Sequence, residues 1–214
     1  MSASLADRCV LRNLIELRAR ETPDRTFIVF PGLSQWTHAE LRQRVRRAAR
    51  GLQDLGVTKG TRVALFLPNT PYYVVCYFAV MKLGGIVVNV NPLYAEEEVH
   101  ELLSDSGAEF AVTLDLKLLL PKLASALGNC ALKKIIVGTM GEILRFPKRQ
   151  LFAIAKRGEL SKVPGDDERY LRFSKLIDND GGFTPAEVDV DDDASSATSQ
   201  EMAADQPSEG GRDE

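Results

Sequence analysis

Cysteine is scarce in this sequence, and its three occurrences, Cys9, Cys76 and Cys130, fall far apart. An odd, scattered set argues against a disulfide framework and offers no pair at metal-ligand spacing, so a reducing compartment is expected. The two histidines, His38 and His100, also lack companions at ligand spacing, and both are expected at the surface. Long hydrophobic runs are missing: the longest, residues 72–81, falls far short of the roughly 20 apolar residues that cross a bilayer. The chain reaches Asp7 and Arg8 without an apolar stretch, so no secretory signal is read and the cytoplasm is the expected location.

What is present is ordinary for a globular protein, with 44% hydrophobic and 27% charged residues. The charge is unevenly placed. Residues 184–214 hold ten acidic side chains against one basic, Arg212, while the whole chain carries only −3. The body is therefore mildly basic. The acidic stretch lacks the apolar surface needed to offset chain entropy, so a disordered tail is expected over 184–214 and a folded unit over 1–183.

Periodicity supplies the elements. A first helix is expected over 6–20, with Val10, Leu11, Leu14, Ile15 and Leu17 on its apolar face. Two short strands, TFIVF and QWT, flank Pro31-Gly32, a pairing suited to a type II turn. Thr37-His38-Ala39-Glu40 reads as a capping box opening a helix buried along Leu41, Val45, Ala48, Leu52 and Leu55 and ended by Gly56.

Four strand-like runs follow, VALFL, IVVNV, FAVTL and KIIVG, beginning 23, 24 and 24 residues apart with helical segments between them. That spacing calls for parallel strands with helical crossovers, and the nearly continuous apolar runs suit strands covered on both faces. The fold class is α/β, a doubly wound parallel sheet layer. Within LPNTPYYVVCYFAVMKLGGIVVNVNP, Thr70 is expected to cap a helix that admits Pro71 in its first turn. Gly84 takes the left-handed C-cap position and Gly85 allows the turn into the next strand. Pro121 is read as starting a short helix, and residues 170–177 form one more short segment.

Few residues suggest chemistry by themselves. Gly138-Thr139-Met140-Gly141-Glu142 follows a strand, but it lacks the Gly-x-Gly-x-x-Gly pattern and Glu142 would repel phosphate, so it is read as a connecting turn. Asp189, Asp191 and Asp193 alternate like a calcium loop, yet Ala194 and Gln200 stand where glycine and glutamate belong. Arg42, Arg44, Arg46, Arg47 and Arg50 are read as a solvated helix face, with no motif for nucleic acid. Residues 143–157 combine bulky apolar groups with Lys148, Arg149, Lys156 and Arg157. Two readings stay open: a helix on an anionic membrane surface, or a core-packing helix with a basic rim.

The stretch WTHAELRQRVRRAARGLQDLGVTKGTRVALFLPNTPYYVVCYFAVMKLGGIVVNVNPLYAEEEVHELLSDSGAEFAV resembles the N-terminal part of AMP-forming acyl-CoA synthetases, long-chain fatty acid–CoA ligases above all. The shared order is Thr-x-x-Glu-Leu, Gly-Val-x-x-Gly-x-x-Val, Pro-Asn, an alanine-bearing helix, Gly-Gly, Asn-Pro, an acidic helix start and Asp-Ser-Gly. The likeness runs over roughly residues 10–190, with GTMGEILRFPKRQLFAIAKRGEL and YLRFSKLI also similar to the fatty-acid branch.

The resemblance implies an adenylate-forming lobe, and a reaction in which Mg-ATP activates a carboxylic acid that coenzyme A then takes as a thioester. It also implies a Gly/Ser/Thr-rich loop ending in Pro-Lys-Gly, a later acidic nucleotide motif and a lysine in a mobile C-terminal domain. None occurs in these 214 residues, which continue past Asp193 as ASSATSQEMAADQPSEGGRDE. An incomplete N-terminal lobe is therefore expected, with no catalytic or cofactor-binding residue of its own and no activity alone. Alternatives are a non-catalytic module docking on itself, on a full-length synthetase or on the inner membrane face, and an independent nucleotide-binding α/β protein.

Overall fold

The four evenly spaced apolar runs become neighbouring strands of one sheet. The computed structural model describes residues 11–29, 35–143 and 157–187. Strands β3 (Arg62–Leu65), β4 (Ile86–Asn89), β5 (Phe110–Leu114), β6 (Lys134–Gly138) and β7 (Tyr170–Arg172) lie in the order β4-β3-β5-β6-β7. Every neighbouring pair is parallel, with Val63 opposite Val87 and Phe110, and Ile136 opposite Val112 and Leu171. All five residues of β5 are buried, as its continuous apolar run requires for a central strand covered on both faces. β1 (Thr26–Val29) and β2 (Gln35–Thr37) form a separate antiparallel pair, and the expected turn at Pro31-Gly32 lies outside the described residues.

The helices are α1 (Leu11–Glu21), α2 (His38–Asp54), α3 (Pro71–Lys82), α4 (Glu96–Ser106), α5 (Leu120–Ala124), α6 (Met140–Ile143) and α7 (Phe173–Leu176), with a 3-10 turn at Arg157–Glu159. α2 opens with the capping box: the Glu40 amide donates to Thr37 Oγ1, and the Thr37 amide donates to Glu40 Oε2 at 2.9 Å. Its stripe Leu41, Val45, Ala48 and Leu52 is fully buried, while Leu55 is the half-buried C-cap. α2 packs on α1 and α3. Gly84 takes φ 67° after α3, and Gly85 follows so tightly that a Cβ there would meet Val80 and the Thr61 carbonyl. Pro121 lies in the first turn of α5.

Two of these expectations, for Thr70 and for His38, need correction. Thr70 stands at the N-cap of α3 in extended geometry, but its side chain caps nothing; the Tyr73 amide donates to the Thr70 carbonyl instead. His38 is buried rather than at the surface: Nδ1 lies 2.7 Å from the Thr22 carbonyl oxygen, and the ring packs edge-on against Phe27. The loop after α1 and strand β1 close over the capping turn, which sequence distance conceals. The segment at 170–177 resolves into β7 and α7, adding a fifth strand beside β6. The described chain runs on to 187, where Thr184 exchanges two hydrogen bonds with the Gln53 side chain and the Ala186 amide donates to the Lys82 carbonyl. Among the described residues no helix is long and apolar enough to cross a membrane.

Candidate functional site

In an open parallel sheet, ligands meet the crevice beyond the carboxyl ends of the strands where the winding direction changes. Here the chain runs from β3 to β4 on one side and then crosses to β5 on the other, so the change falls between β3 and β5. The segments leaving these carboxyl ends carry Thr70 and Tyr72 after β3, Asp115 after β5, and Thr139 to Glu142 after β6.

This edge is occupied by its own side chains. Tyr72 presses against Gly138 so closely that a Cβ at 138 would meet its ring at 2.8 Å, and it stacks edge-on with Phe173 at 4.7 Å. Its hydroxyl contacts Glu142 Oε2 at 3.0 Å and the Thr139 carbonyl at 3.2 Å. Burial, followed by the nearby Glu142 charge, pushes the Tyr72 phenol far above its ordinary range. Asp115 is buried and its Oδ1 accepts from the Met140 amide at 2.9 Å. Burial raises its carboxyl, opposed by that amide and by the Arg172 charge.

The turn 138–142 thus meets carboxylates from its own chain. A carboxylate already takes the Met140 amide, and a second stands at Glu142, in keeping with a connecting turn. Thr70 Oγ1 and Thr113 Oγ1 are buried without a hydrogen-bond partner among the described residues. No group of three or more His, Cys, Asp or Glu among the described residues is placed to hold a metal.

The arginine face of α2 differs from the solvated surface expected of it. Arg42 donates to Glu16 on α1, Arg50 to Asp54 and to the Gly182 carbonyl, while Arg44 lies over Trp36 and Arg46 over Phe183. These half-buried cations fasten the segments before and after the sheet onto α2. Lys148, Arg149 and Lys156 lie outside the described residues, as do Asp189, Asp191 and Asp193; Arg157 begins the 3-10 turn. Lys82 and Glu16, and the network of Tyr72, Asp115 and Glu142, belong to no motif in the sequence. One signal was available: Lys82 ends the otherwise uncharged helix PYYVVCYFAVMK, where a buried cation needs a carboxylate.

A family model described as AMP-binding enzyme matches residues 15–174. The chain is 36% identical over 147 residues to a long-chain-fatty-acid–CoA ligase of Bacillus subtilis (strain 168), covering 69% of this chain and 26% of that protein. It is 51% identical over 73 residues to the similarly named ligase of Yersinia pestis, 34% of this chain and 13% of the relative. Among solved structures it is similar to the coronafacic acid ligase of Pectobacterium brasiliense, with TM-score 0.67 and 16% identity over 84% of this chain and 31% of that one. It is also similar to the anthranilate CoA ligase AuaEII in complex with anthranoyl-AMP, with TM-score 0.62 and 23% identity over 86% and 31%. Identities this low speak for the fold alone. The chain spans about a quarter of the length of the Bacillus relative.

Proposed function

Because this chain belongs to the AMP-binding enzyme family, we propose that it forms the N-terminal part of the catalytic lobe of a long-chain fatty acid–CoA ligase. The observation that carries this reading is the 36% identity over 147 residues to a ligase of that name. The reaction proposed for the whole enzyme joins a fatty carboxylate to the α-phosphate of ATP with loss of diphosphate. Coenzyme A sulfur then displaces AMP from the acyl carbon.

These 214 residues supply scaffold. The Pro-Lys-Gly loop is not among them, and the two carboxylates beside the turn after β6 are engaged by the Met140 amide and the Tyr72 hydroxyl. At the carboxyl edge of the sheet these carboxylates offer no cradle for the phosphates of Mg-ATP or coenzyme A, and no step is assigned to them. The test is a chimera in which residues 15–174 replace the matching segment of the Bacillus ligase. We expect acyl-CoA from palmitate, Mg-ATP and coenzyme A, and no diphosphate release by the 214-residue chain alone. A folded, inactive chimera, or turnover by the purified chain, overturns the reading.

The composition of residues 143–157 supports a second proposal, contact with an anionic membrane surface through Lys148, Arg149, Lys156 and Arg157. Each cation near such a surface adds about 1 kcal/mol. Changing all four to glutamine should then weaken binding to phosphatidylserine vesicles, and unchanged binding excludes the contact.

A further inference from the structure

Glu16 sits among more positive charge than it can neutralise. Its Oε2 accepts from Arg42 Nε at 2.5 Å, and its Oε1 lies 3.3 Å from Lys82 Nζ and 3.8 Å from Arg46 Nη1. The three cations stand on two helices, α2 and α3, and the carboxylate on a third, α1. Together with Arg20 they line a cleft of about 270 Å³, which Asn13 borders and which Phe183, Pro185 and Ala186 wall off. Four cations thus face one carboxylate. The Lys82 side chain is 7% exposed, far from the solvation an ammonium ordinarily demands.

Among the described residues, Arg42 has no hydrogen-bond partner beyond Glu16, and Arg46 makes none within bonding distance, packing instead on the Phe183 ring at 5.4 Å. Planar guanidinium groups with edges unpaired among the described residues, next to a buried ammonium, are the donor set that phosphate oxygens fit. We propose that this cleft binds a small, multiply charged oxyanion of the phosphate or diphosphate class, held by Lys82, Arg42 and Arg46 with Arg20 at its edge. The volume is room for about nine waters at roughly 30 Å³ each, enough for such an ion and part of its hydration. Glu16 opposes the ion but also fixes the Arg42 guanidinium, and the excess of cations decides the sign. The Ala186 amide, bound to the Lys82 carbonyl, holds the far wall in place. This site is separate from the carboxyl edge of the sheet and independent of the ligase reading.

The test is titration of the 214-residue chain with inorganic phosphate and with diphosphate, read by calorimetry and by amide shifts, against sodium chloride of matched ionic strength. We expect saturable one-site binding, tighter for diphosphate, with shifts at Ala186 and Lys82. The double variant Arg20→Gln/Arg46→Gln should weaken it at least tenfold with an unchanged circular dichroism spectrum. Arg20→Gln alone, at an exposed edge residue, should weaken it about threefold and keeps the test valid should the double variant unfold. Equal heats in chloride and phosphate, or folded variants that bind as the parent does, overturn the proposal. A third variant changes Asp189, Asp191, Asp192 and Asp193 to Asn. Phosphate binding that appears only there would give the cleft to the chain's own carboxylates and also overturn it.

Discussion

Lys82 Nζ lies 3.3 Å from Glu16 Oε1, which ties the last turn of α3 to α1 through a largely buried charge pair. Breaking such a pair from one side costs about 3–5 kcal/mol, because the remaining charge stays buried without its partner. Glu16→Gln should therefore lower stability by about 3 kcal/mol in urea unfolding. Lys82→Met should cost less, since Glu16 keeps Arg42, and the double variant should recover much of the loss. A cost under about 1 kcal/mol for Glu16→Gln would place the pair with solvated surface bridges.

Acid titration reads the same group with a definite sign. Burial pushes the Glu16 carboxyl up, but the Lys82 and then Arg42 charges more than offset this and hold it below the ordinary range. A depressed carboxyl stabilises the fold above its unfolded value of about 4.3, and that stability is lost as pH falls through the folded value. The unfolding free energy should drop on acidification below about pH 4.3, and Glu16→Gln should flatten that limb.

Tyr72 carries the opposite dependence. Burial, and then the Glu142 charge, raise its phenol, so the folded state keeps the proton where the unfolded chain loses it. Stability from this group is complete below the unfolded value of about 10 and is lost as pH rises from there towards the folded value. Spectrophotometric titration should show Tyr72 ionising only with unfolding, and Tyr72→Phe should remove that unionised signal. The lost hydroxyl bonds should cost about 1 kcal/mol at neutral pH. A phenol that titrates near pH 10 in the folded protein would contradict the buried network.

Gly51 gives a steric prediction. It faces α7, and a Cβ there would overlap the Leu176 carbonyl oxygen, a backbone atom with little freedom to move. Helix propensity favours Gly51→Ala by about 1 kcal/mol, but overpacking costs about 1–3 kcal/mol and the backbone contact puts this site at the high end. The variant should be destabilised, with faster amide exchange at Leu176 and Ile177. Gain of stability would mean that α7 yields freely.

The parallel sheet was legible because its strands announce themselves through apolar runs at near-constant spacing, and the Thr37–Glu40 capping box because it lies within four residues. β7 escaped because three residues, Tyr170, Leu171 and Arg172, carry no periodicity that separates strand from turn. His38 and the α2 arginines were misplaced for another reason. Their partners Thr22, Glu16 and Gly182 are distant in sequence, and only the packing of α1 and residues 179–187 on α2 brings them together. The turn after β6 was legible as a connection between strand and helix, but the Asp115 and Tyr72 contacts that fill it come from across the sheet.

The remaining prediction concerns the edge of the sheet. β4 pairs with β3 and has no second strand neighbour among the described residues, which leave one row of its backbone groups without a ladder. Ile86, Val87 and Val88 are only half-buried, and Leu93 and Tyr94 nearby in sequence are exposed at 83% and 36%. At roughly 25 cal/mol per Å², a few hundred Å² of uncovered apolar surface forfeits on the order of 5–10 kcal/mol, comparable with the stability of a whole domain. We propose that this edge is where the chain associates with a second copy of itself. Light scattering should show mass rising with concentration, and Val87→Lys and Val88→Lys, which put a charge on each face of the edge strand, should suppress it. A monomer at every concentration, unchanged by either lysine, would mean that the edge is already protected, and the scaffold would then be a self-sufficient domain.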